Sequence, residues 1–272
     1  MDDIRSEVAR RSGKVFMPDV VDAFDLVARK ESLSYNIRTP LLCFYLNRRT
    51  QRLPYITMNL EDMDELAQVF CRIIDFRSPF TASHSSGVAS CAAELARLCG
   101  MSPSEVTMMR AAGHFHDIGK MAVPTEILEK KEPLTRSEMN TVKSHVQYSY
   151  YLLDHFSVFS FLRDWAALHH ERMNGHGYPF HLSGRHLSTG SRIMAVADIF
   201  TALNENRPYR PAMEMDRAKR IMDEMAADNS IDPEISRLLF DNIGDIASVS
   251  SEAQKQAYNT YRDFCFESEA VH

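Results

Sequence analysis

Apolar residues recur along most of the chain at the three- and four-residue spacing that places them on one face of an α-helix. In the segment 59–76, for example, Met63, Leu66, Val69 and Ile73 form such a stripe. Runs that alternate apolar and polar residues are few, and only ten of the 272 residues are glycine. The pattern predicts an all-α protein without a sheet.

Capping signals mark several helix ends. The sequences SPSE (102–105) and TRSE (135–138) each have the form of a capping box, and Gly100 is placed to end a helix. Together with the periodicity, they predict helices at about 59–76, 81–99, 102–118, 135–155, 157–171, 191–205, 213–227, 233–241 and 252–266.

The first part of the chain has shorter periodic stretches, interrupted by prolines and by the basic run NRRTQR. We expect a small N-terminal segment, residues 1–57, and one main domain, residues 58–272. The segment VFMPDVVDAFDLVA (15–28) echoes SIDPEISRLLFDNI (230–243). Two readings stay open: two similar helix starts by chance, or a remnant of a second, degenerate copy of the main domain.

Charge and composition narrow the class of protein. A net charge of −6 gives no general attraction to nucleic acid, so an anionic ligand needs local cations. No apolar run approaches the roughly 18 residues of a membrane helix, and the start MDDIRSEVARR lacks the apolar core of a signal peptide. We therefore expect a cytoplasmic protein that binds neither nucleic acid nor membrane.

Histidines and acids recur in several predicted helices. Asp198 lies among apolar neighbours in RIMAVADIFTAL, where an unpaired carboxylate would be costly. A single helical histidine is usually an ordinary side chain, but groups from separate helices can converge inside a bundle. The candidate metal ligands are His84, His116, Asp117, His145, His169, His170 and Asp198.

This ligand set suits two six-coordinate ions better than one tetrahedral zinc ion. The two oxygens of Asp117 allow it to bridge both ions, whereas His116 binds only one. Lys120, four residues after His116, faces the same way and can meet an anionic ligand. Gly119 is expected to let the chain turn away without crowding the site. Two such ions are typical of phosphodiester hydrolysis by a bridging hydroxide.

The motifs HDIGK, HHERMNGHGYP, the VAD helix and RPYR follow one another in this order. Over about residues 58–242 the chain resembles the HD-GYP family, the branch of the HD metallohydrolase superfamily that hydrolyses bacterial cyclic dinucleotides. The resemblance implies an HD-type helical bundle, and it assigns the seven candidate ligands to the metal centre. It also implies that Glu171 is a hydrogen-bond partner that orients one of the ligand histidines without binding the metal itself.

The resemblance further implies the substrate contacts. These are a lysine at the scissile phosphate, two basic residues that bind the dinucleotide, and the Gly-Tyr-Pro motif from which the family takes its name. In this family that motif is also linked to contacts with diguanylate cyclase (GGDEF) domains, and a homodimer is left open. The implied substrate contacts are Lys120, Arg207, Arg210, Gly177, Tyr178 and Pro179.

Two departures from the family's pattern refine the expectation. Phe80 stands where some members carry a glutamate that helps to hold a third metal, so two divalent ions are expected, iron or manganese. Ser78 replaces an acidic residue that reads guanine. That change puts selectivity for cyclic di-GMP in doubt and leaves room for 3'3'-cyclic GMP-AMP.

The predicted function is therefore hydrolysis of cyclic di-GMP, 3'3'-cyclic GMP-AMP or both to the linear dinucleotide. The main alternative is a module that senses the dinucleotide or docks to a cyclase with little turnover. A general nucleotidase acting on mononucleotides is a third reading, against which Arg207, Arg210 and the Gly-Tyr-Pro loop argue.

Overall fold

A computed structural model describes residues 2–29, 58–76, 83–130, 132–154, 160–205 and 212–269. The chain divides into two compact units, Met1–Thr57 and Met58–His272. Every regular element within the described ranges is a helix, which confirms the predicted all-α class. None of these helices is both long enough and apolar enough to cross a membrane.

The first unit contributes two helices to the described residues, α1 (Asp2–Arg10) and α2 (Pro18–Ala28). Arg5 of α1 forms an ion pair with Asp25 of α2 at 2.7 Å. Like the segment that it echoes, α2 begins at a proline, which suits the first helical turn. Both readings of the echo account for this start, so the assignment of residues 1–57 to a remnant domain stays a prediction.

The second unit is a helical bundle, and several of its helices begin with the predicted caps. Ser102 and Glu105 form a reciprocal capping box, and Thr135 and Glu138 make the same pair of bonds. In chain order the elements are α3 (Leu60–Asp75), α4 (His84–Leu98), α5 (Pro103–Phe115), a 3-10 helix (Ile118–Ala122), α6 (Thr125–Leu128), α7 (Arg136–Asp154), α8 (Ser160–Ala167), a 3-10 helix (Gly184–His186), α9 (Thr189–Asn204), α10 (Met215–Ala227), α11 (Pro233–Asp241) and α12 (Ile243–Glu269).

Several helix ends differ from the sequence prediction, and three of the differences change the interpretation. α5 ends at Phe115 and α8 ends at Ala167. The polar pairs His116–Asp117 and His169–His170 therefore lie just past a helix end. α12 begins at Ile243, nine residues before the predicted start. The serine-rich segment that follows is a weak helix former, but Ile246 is fully buried in the core, and this packing outweighs local propensity.

α4 is the centre of the bundle, and it packs against α5, α9 and α12. Its buried positions are mostly small, including Ala89 and Ala92, so neighbouring helices approach closely. A Cβ atom on Gly113 of α5 would lie 2.4 Å from the Cα atom of Ala89. This close crossing brings the start of α4, with His84, to the end of α5, with His116.

Candidate metal centre

The seven predicted ligands lie together in the interior of the second unit. His84 is the first residue of α4, His116 and Asp117 follow α5, and His145 lies within α7. The other three are His169 and His170, just after α8, and Asp198 in α9. Neighbouring rings lie close, with centroids 4.9 Å apart for His116 and His169 and 5.4 Å apart for His84 and His116.

Three of the imidazoles are oriented by their own helices. Nδ1 of His116, His145 and His169 lies 2.6–2.7 Å from the carbonyl oxygen three residues earlier. The opposite nitrogen, Nε2, is buried in each ring and has no hydrogen-bond partner in the described part of the chain. Buried polar atoms are rarely left without a partner. Three imidazoles whose buried Nε2 atoms make no hydrogen bond, in one small region, fit a bound cation.

The two carboxylates lie between the rings. One oxygen of Asp117 is 3.2 Å from Nε2 of His116, and the other is 3.2 Å from Nε2 of His145. Asp198 lies 3.3 Å from Nε2 of His84. Because the two oxygens of Asp117 face different imidazoles, this carboxylate is placed as a group shared between two ions would be.

The electrostatics of the site favour the metal-binding protonation states. Burial, together with neighbouring His170 and His116, lowers the pKa of His169 well below its usual range. Burial also lowers the pKa of His170 to about 3. Burial alone would raise the pKa of Asp117, but His116 and Lys120 outweigh it and hold that pKa well below its ordinary value. His169 and His170 are therefore neutral imidazoles and Asp117 is a charged carboxylate, the forms that bind a metal. At His116, burial alone would lower the pKa, but the neighbouring Asp117 outweighs it and the pKa is raised instead.

The ligand atoms fall into overlapping groups whose members lie within 4.8 Å of one another. Two of the groups have no member in common, and the third, which contains Asp117, shares His116 with one of them and His169 with the other. Imidazole and carboxylate ligands in this arrangement suit two divalent ions. The assignment of individual ligands stays a prediction. The groups are His84 with His116 and Asp198, His145 with His169 and His170, and His116 with Asp117 and His169.

Glu171 does not orient a ligand histidine, and that expectation was wrong. Its two carboxylate oxygens accept hydrogen bonds from the backbone N–H groups of Phe180, at 2.7 Å, and Leu182, at 2.9 Å. The two adjacent histidines have other neighbours: Nδ1 of His169 lies beside the carbonyl oxygen of Ala166, and Nδ1 of His170 lies 3.9 Å from Asp198. Glu171 therefore fastens the Gly-Tyr-Pro loop to the end of the His169–His170 segment.

Glu205 takes the supporting role and was missed in the sequence. Its Oε2 lies 3.0 Å from Nδ1 of His84, and its carboxylate is buried. Such a partner fixes the orientation of an imidazole that binds a metal. A sequence signal was available, because Glu205 follows Asp198 by seven residues, two turns of the predicted helix 191–205; in the structure it lies directly after the last residue of α9.

Gly119 is required for a different reason from the one predicted. A Cβ atom there would lie 1.9 Å from the carbonyl oxygen of His145, so the 3-10 helix and α7 touch at this residue. The N–H group of Gly119 donates to Oγ of Ser149, and that hydroxyl donates to the carbonyl of His116. The contact places Asp117 against His145.

The Gly-Tyr-Pro loop covers one side of the site. The Tyr178 ring stacks on His170 with centroids 4.9 Å apart, and Nζ of Lys143 lies 4.9 Å from the Tyr178 centroid. Gly177 is held so close to Glu171 that a Cβ atom would lie 2.4 Å from its Cα. Lys143 is a second cation near the site that the sequence did not single out. The predicted residues Arg207 and Arg210, with Ser78 and Phe80, lie outside the described residues.

A helical bundle that encloses a buried histidine-aspartate cluster is the architecture of HD-type metal-binding domains. The HD domain family model matches residues 68–235, and the chain belongs to this family. Among its relatives, 3'3'-cGAMP-specific phosphodiesterase 3 of Vibrio cholerae is 35% identical over 84% of this chain and 49% of its own length. The predicted HD-GYP resemblance is confirmed.

Further relatives agree in family. 3'3'-cGAMP-specific phosphodiesterase 1 of V. cholerae is 31% identical over 87% of this chain and 55% of its own length. A cyclic di-GMP phosphodiesterase response regulator of Xanthomonas campestris is 37% identical over 62% of the chain and 45% of its own length. The chain thus spans about half the length of these curated relatives.

Two solved structures share the fold. A cyclic GMP-AMP-specific phosphodiesterase of V. cholerae matches with a TM-score of 0.50 and 30% identity, over 89% of this chain and 56% of the other. An HDGYP protein of Bdellovibrio bacteriovorus matches with a TM-score of 0.50 and 13% identity, over 68% and 65%. The second similarity concerns the fold alone.

Proposed function

We propose that this chain is a metal-dependent phosphodiesterase that hydrolyses a bacterial cyclic dinucleotide to the linear dinucleotide. The observation that carries the proposal is the set of three buried Nε2 atoms, from His116, His145 and His169, beside the carboxylate of Asp117. The relatives that align with most of the chain are named as cyclic dinucleotide phosphodiesterases, which supports this class of substrate.

Two divalent ions, iron or manganese, are the proposed cofactors. When bound, such ions neutralise charge on phosphoryl oxygens and lower the pKa of water for attack on phosphorus. The protein's part would be to hold the ligand groups, among them Asp117, whose two oxygens face different imidazoles, while Glu205 fixes the ring of His84. The proposed ligands are His84, His116 and Asp198 at one end, and His145, His169 and His170 at the other.

Cations and one aromatic ring at the site would bind the substrate. Lys120 Nζ lies 2.5 Å from Oδ2 of Asp117, where its charge would attract the scissile phosphate. Tyr178 and Lys143 form one wall of the site, on which a nucleobase and a second phosphate would rest. Gly177 and Pro179 shape that wall, and the predicted contacts of Arg207 and Arg210 complete the set.

We further propose that 3'3'-cyclic GMP-AMP is the preferred substrate. Two relatives that align with more than four-fifths of the chain are named as specific for this dinucleotide. The serine at position 78 agrees, because it cannot accept the hydrogen bonds that a carboxylate accepts from guanine. Rates for 3'3'-cyclic GMP-AMP and cyclic di-GMP, measured at equal concentration with separation of the linear products, test the preference directly.

Matched variants test the mechanism. We expect Asp117→Ala to lose turnover and bound metal, measured by elemental analysis, while far-UV circular dichroism shows intact helices. Lys120→Ala should keep bound metal, because all seven proposed ligands remain, but should lose most of its turnover, because it removes both the proposed phosphate contact and the ion pair with Asp117. Lys255→Ala, at an exposed lysine of α12 that forms no ion pair within the described ranges, is the control. Full turnover in Asp117→Ala would remove the proposed metal mechanism.

The sensor or docking alternative is not favoured, because a binding module has no need of a complete set of metal-facing groups. Tight binding of the dinucleotide by the metal-loaded protein without product formation would reverse that preference. Two expectations about partners stay predictions: that the Gly-Tyr-Pro loop contacts a GGDEF domain, and that the chain forms a homodimer. Co-purification of the chain with a cyclase domain, with and without Phe180→Ser at the exposed end of the loop, tests the first of these.

A further inference from the structure

A cavity of about 270 Å³ lies between α3, α4, α5 and α12, and none of the seven candidate ligands lines it. Its wall carries two arginines and a histidine, Arg72, Arg110 and His114. Neutral donors, among them Ser86, Ser90 and Gln256, line the rest of its polar surface. The proposed phosphodiesterase chemistry uses none of these groups.

Both arginines retain donors for a ligand. Arg72 is exposed and forms no ion pair among the described residues. Arg110 donates through Nε to Oδ2 of Asp64 at 2.8 Å, while its terminal nitrogens make no hydrogen bond within the same ranges. A guanidinium presents its terminal N–H groups as a planar fork that matches phosphate oxygens.

His114 lies beside the same carboxylate. The side chain is only 6% exposed, and its Nδ1 lies 3.4 Å from Oδ1 of Asp64. His114 lines the cavity. Because Nδ1 faces Asp64, the other ring nitrogen, Nε2, lies on the side of the ring away from Asp64. Neither Nδ1 of His114 nor Oδ1 of Asp64, both buried, has a hydrogen-bond partner in the described part of the chain, and buried polar atoms are rarely left without one. Asp64 therefore binds Arg110 and lies beside His114, with a polar atom unsatisfied on both Asp64 and His114.

One acidic residue, Asp75, also lines the cavity. Its carboxylate accepts hydrogen bonds from the N–H group of Ser85 at 3.1 Å and from the hydroxyl of Ser85 at 2.9 Å. Ser85 directly follows His84, so Asp75 connects the cavity wall to the start of α4 and to the metal centre.

We propose that this cavity binds a small phosphate-bearing molecule. Arg72 supplies a positive charge that no carboxylate neutralises within the described residues, whereas Asp64 offsets the charge of Arg110. The chain as a whole, at net charge −6, offers no general attraction to anions. Ala253 and Ala257 of α12 add an apolar wall for the carbon part of such a ligand. The proposed site is distinct from the substrate site and does not depend on the phosphodiesterase activity.

Calorimetric titration of the metal-loaded full chain tests the proposal, with inorganic phosphate and guanosine 5'-monophosphate as probes. We expect two binding events, one at the metal centre and one in the cavity, and tighter binding of the nucleotide in the cavity. Arg72→Gln should weaken the cavity event about tenfold or more through loss of a charged hydrogen bond. Lys120→Gln should weaken only the other event.

Arg220→Gln is the matched control, because Arg220 is an exposed arginine of α10 without an ion pair in the described ranges. It should leave both events unchanged. Circular dichroism melts of Arg72→Gln and Arg220→Gln should coincide with the wild type, since both side chains are exposed. A single binding event that disappears in Lys120→Gln and is unaffected by Arg72→Gln would overturn the proposal.

Discussion

Replacement of Gly119 by alanine is the sharpest test of how the site is assembled. The new Cβ atom would lie 1.9 Å from the carbonyl oxygen of His145 and 2.6 Å from the backbone nitrogen of Ser149. Ordinary contacts begin at about 3.5 Å, so the 3-10 helix and α7 would have to separate by roughly 3.5 − 1.9 = 1.6 Å. Both atoms belong to a helix backbone, so no side-chain rotation can relieve the clash.

The expected cost follows from this displacement. Overpacking a well-packed interior typically costs about 1–3 kcal/mol, and a backbone clash belongs at the upper end. For a domain of this size each kcal/mol lowers Tm by about 2–4 °C, so we expect a decrease of about 6–12 °C. The shift also moves Asp117 and Lys120 relative to His145. Since a misplacement of about 1 Å can cost about 100-fold in rate, turnover should fall at least that far.

Thermal melts followed by circular dichroism, and initial rates at saturating metal and cyclic dinucleotide, measure the two effects. Gly244→Ala is the control, because a Cβ atom at Gly244 meets nothing within 4 Å among the described residues. In the first turn of α12 that change should stabilise the protein by about 0.5–1 kcal/mol. If Gly119→Ala melts with the wild type and keeps its turnover, the contact between Gly119 and α7 is not what assembles the site.

Two further predictions concern Glu205 at the metal centre and Glu138 at the start of α7. Glu205→Ala should weaken metal binding about 10–100-fold, because His84 loses the carboxylate that orients it. Metal titration measures the affinity, and an unchanged value would contradict this role of Glu205. Hydrogen bonds from Lys130 and then Thr135 lower the pKa of Glu138 to about 2 from 4.5. A lowered carboxyl pKa stabilises the fold above pH 4.5, and that contribution is lost as the pH falls towards 2. Urea unfolding should therefore show Glu138→Gln less stable than wild type at pH 7, with the difference narrowing below pH 4.5; a constant difference would contradict this.

The candidate ligands could be singled out in the sequence from local signals and from the order of the motifs, and their assignment to a metal stays a prediction. Polar residues at apolar positions, such as Asp198, are visible in a single helix, and motifs such as HDIGK have fixed spacing. Capping boxes and periodicity likewise depend on neighbours within a few residues, which is why the α5 and α7 starts were predicted correctly.

Only the tertiary structure decided which groups support those ligands. Glu205 reaches His84 across 121 positions of sequence, and Glu171 was assigned to the wrong partner because a loop ten residues later folds back onto it. The contact between Gly119 and Ser149 could not be predicted from the sequence either, because a backbone contact between two helices leaves no periodic pattern in it. The sequence by itself determined the helices and the chemistry of the metal-facing side chains, which depend on short-range propensity and residue type. The tertiary structure decided their convergence and their supporting partners, because these depend on packing between segments distant along the chain.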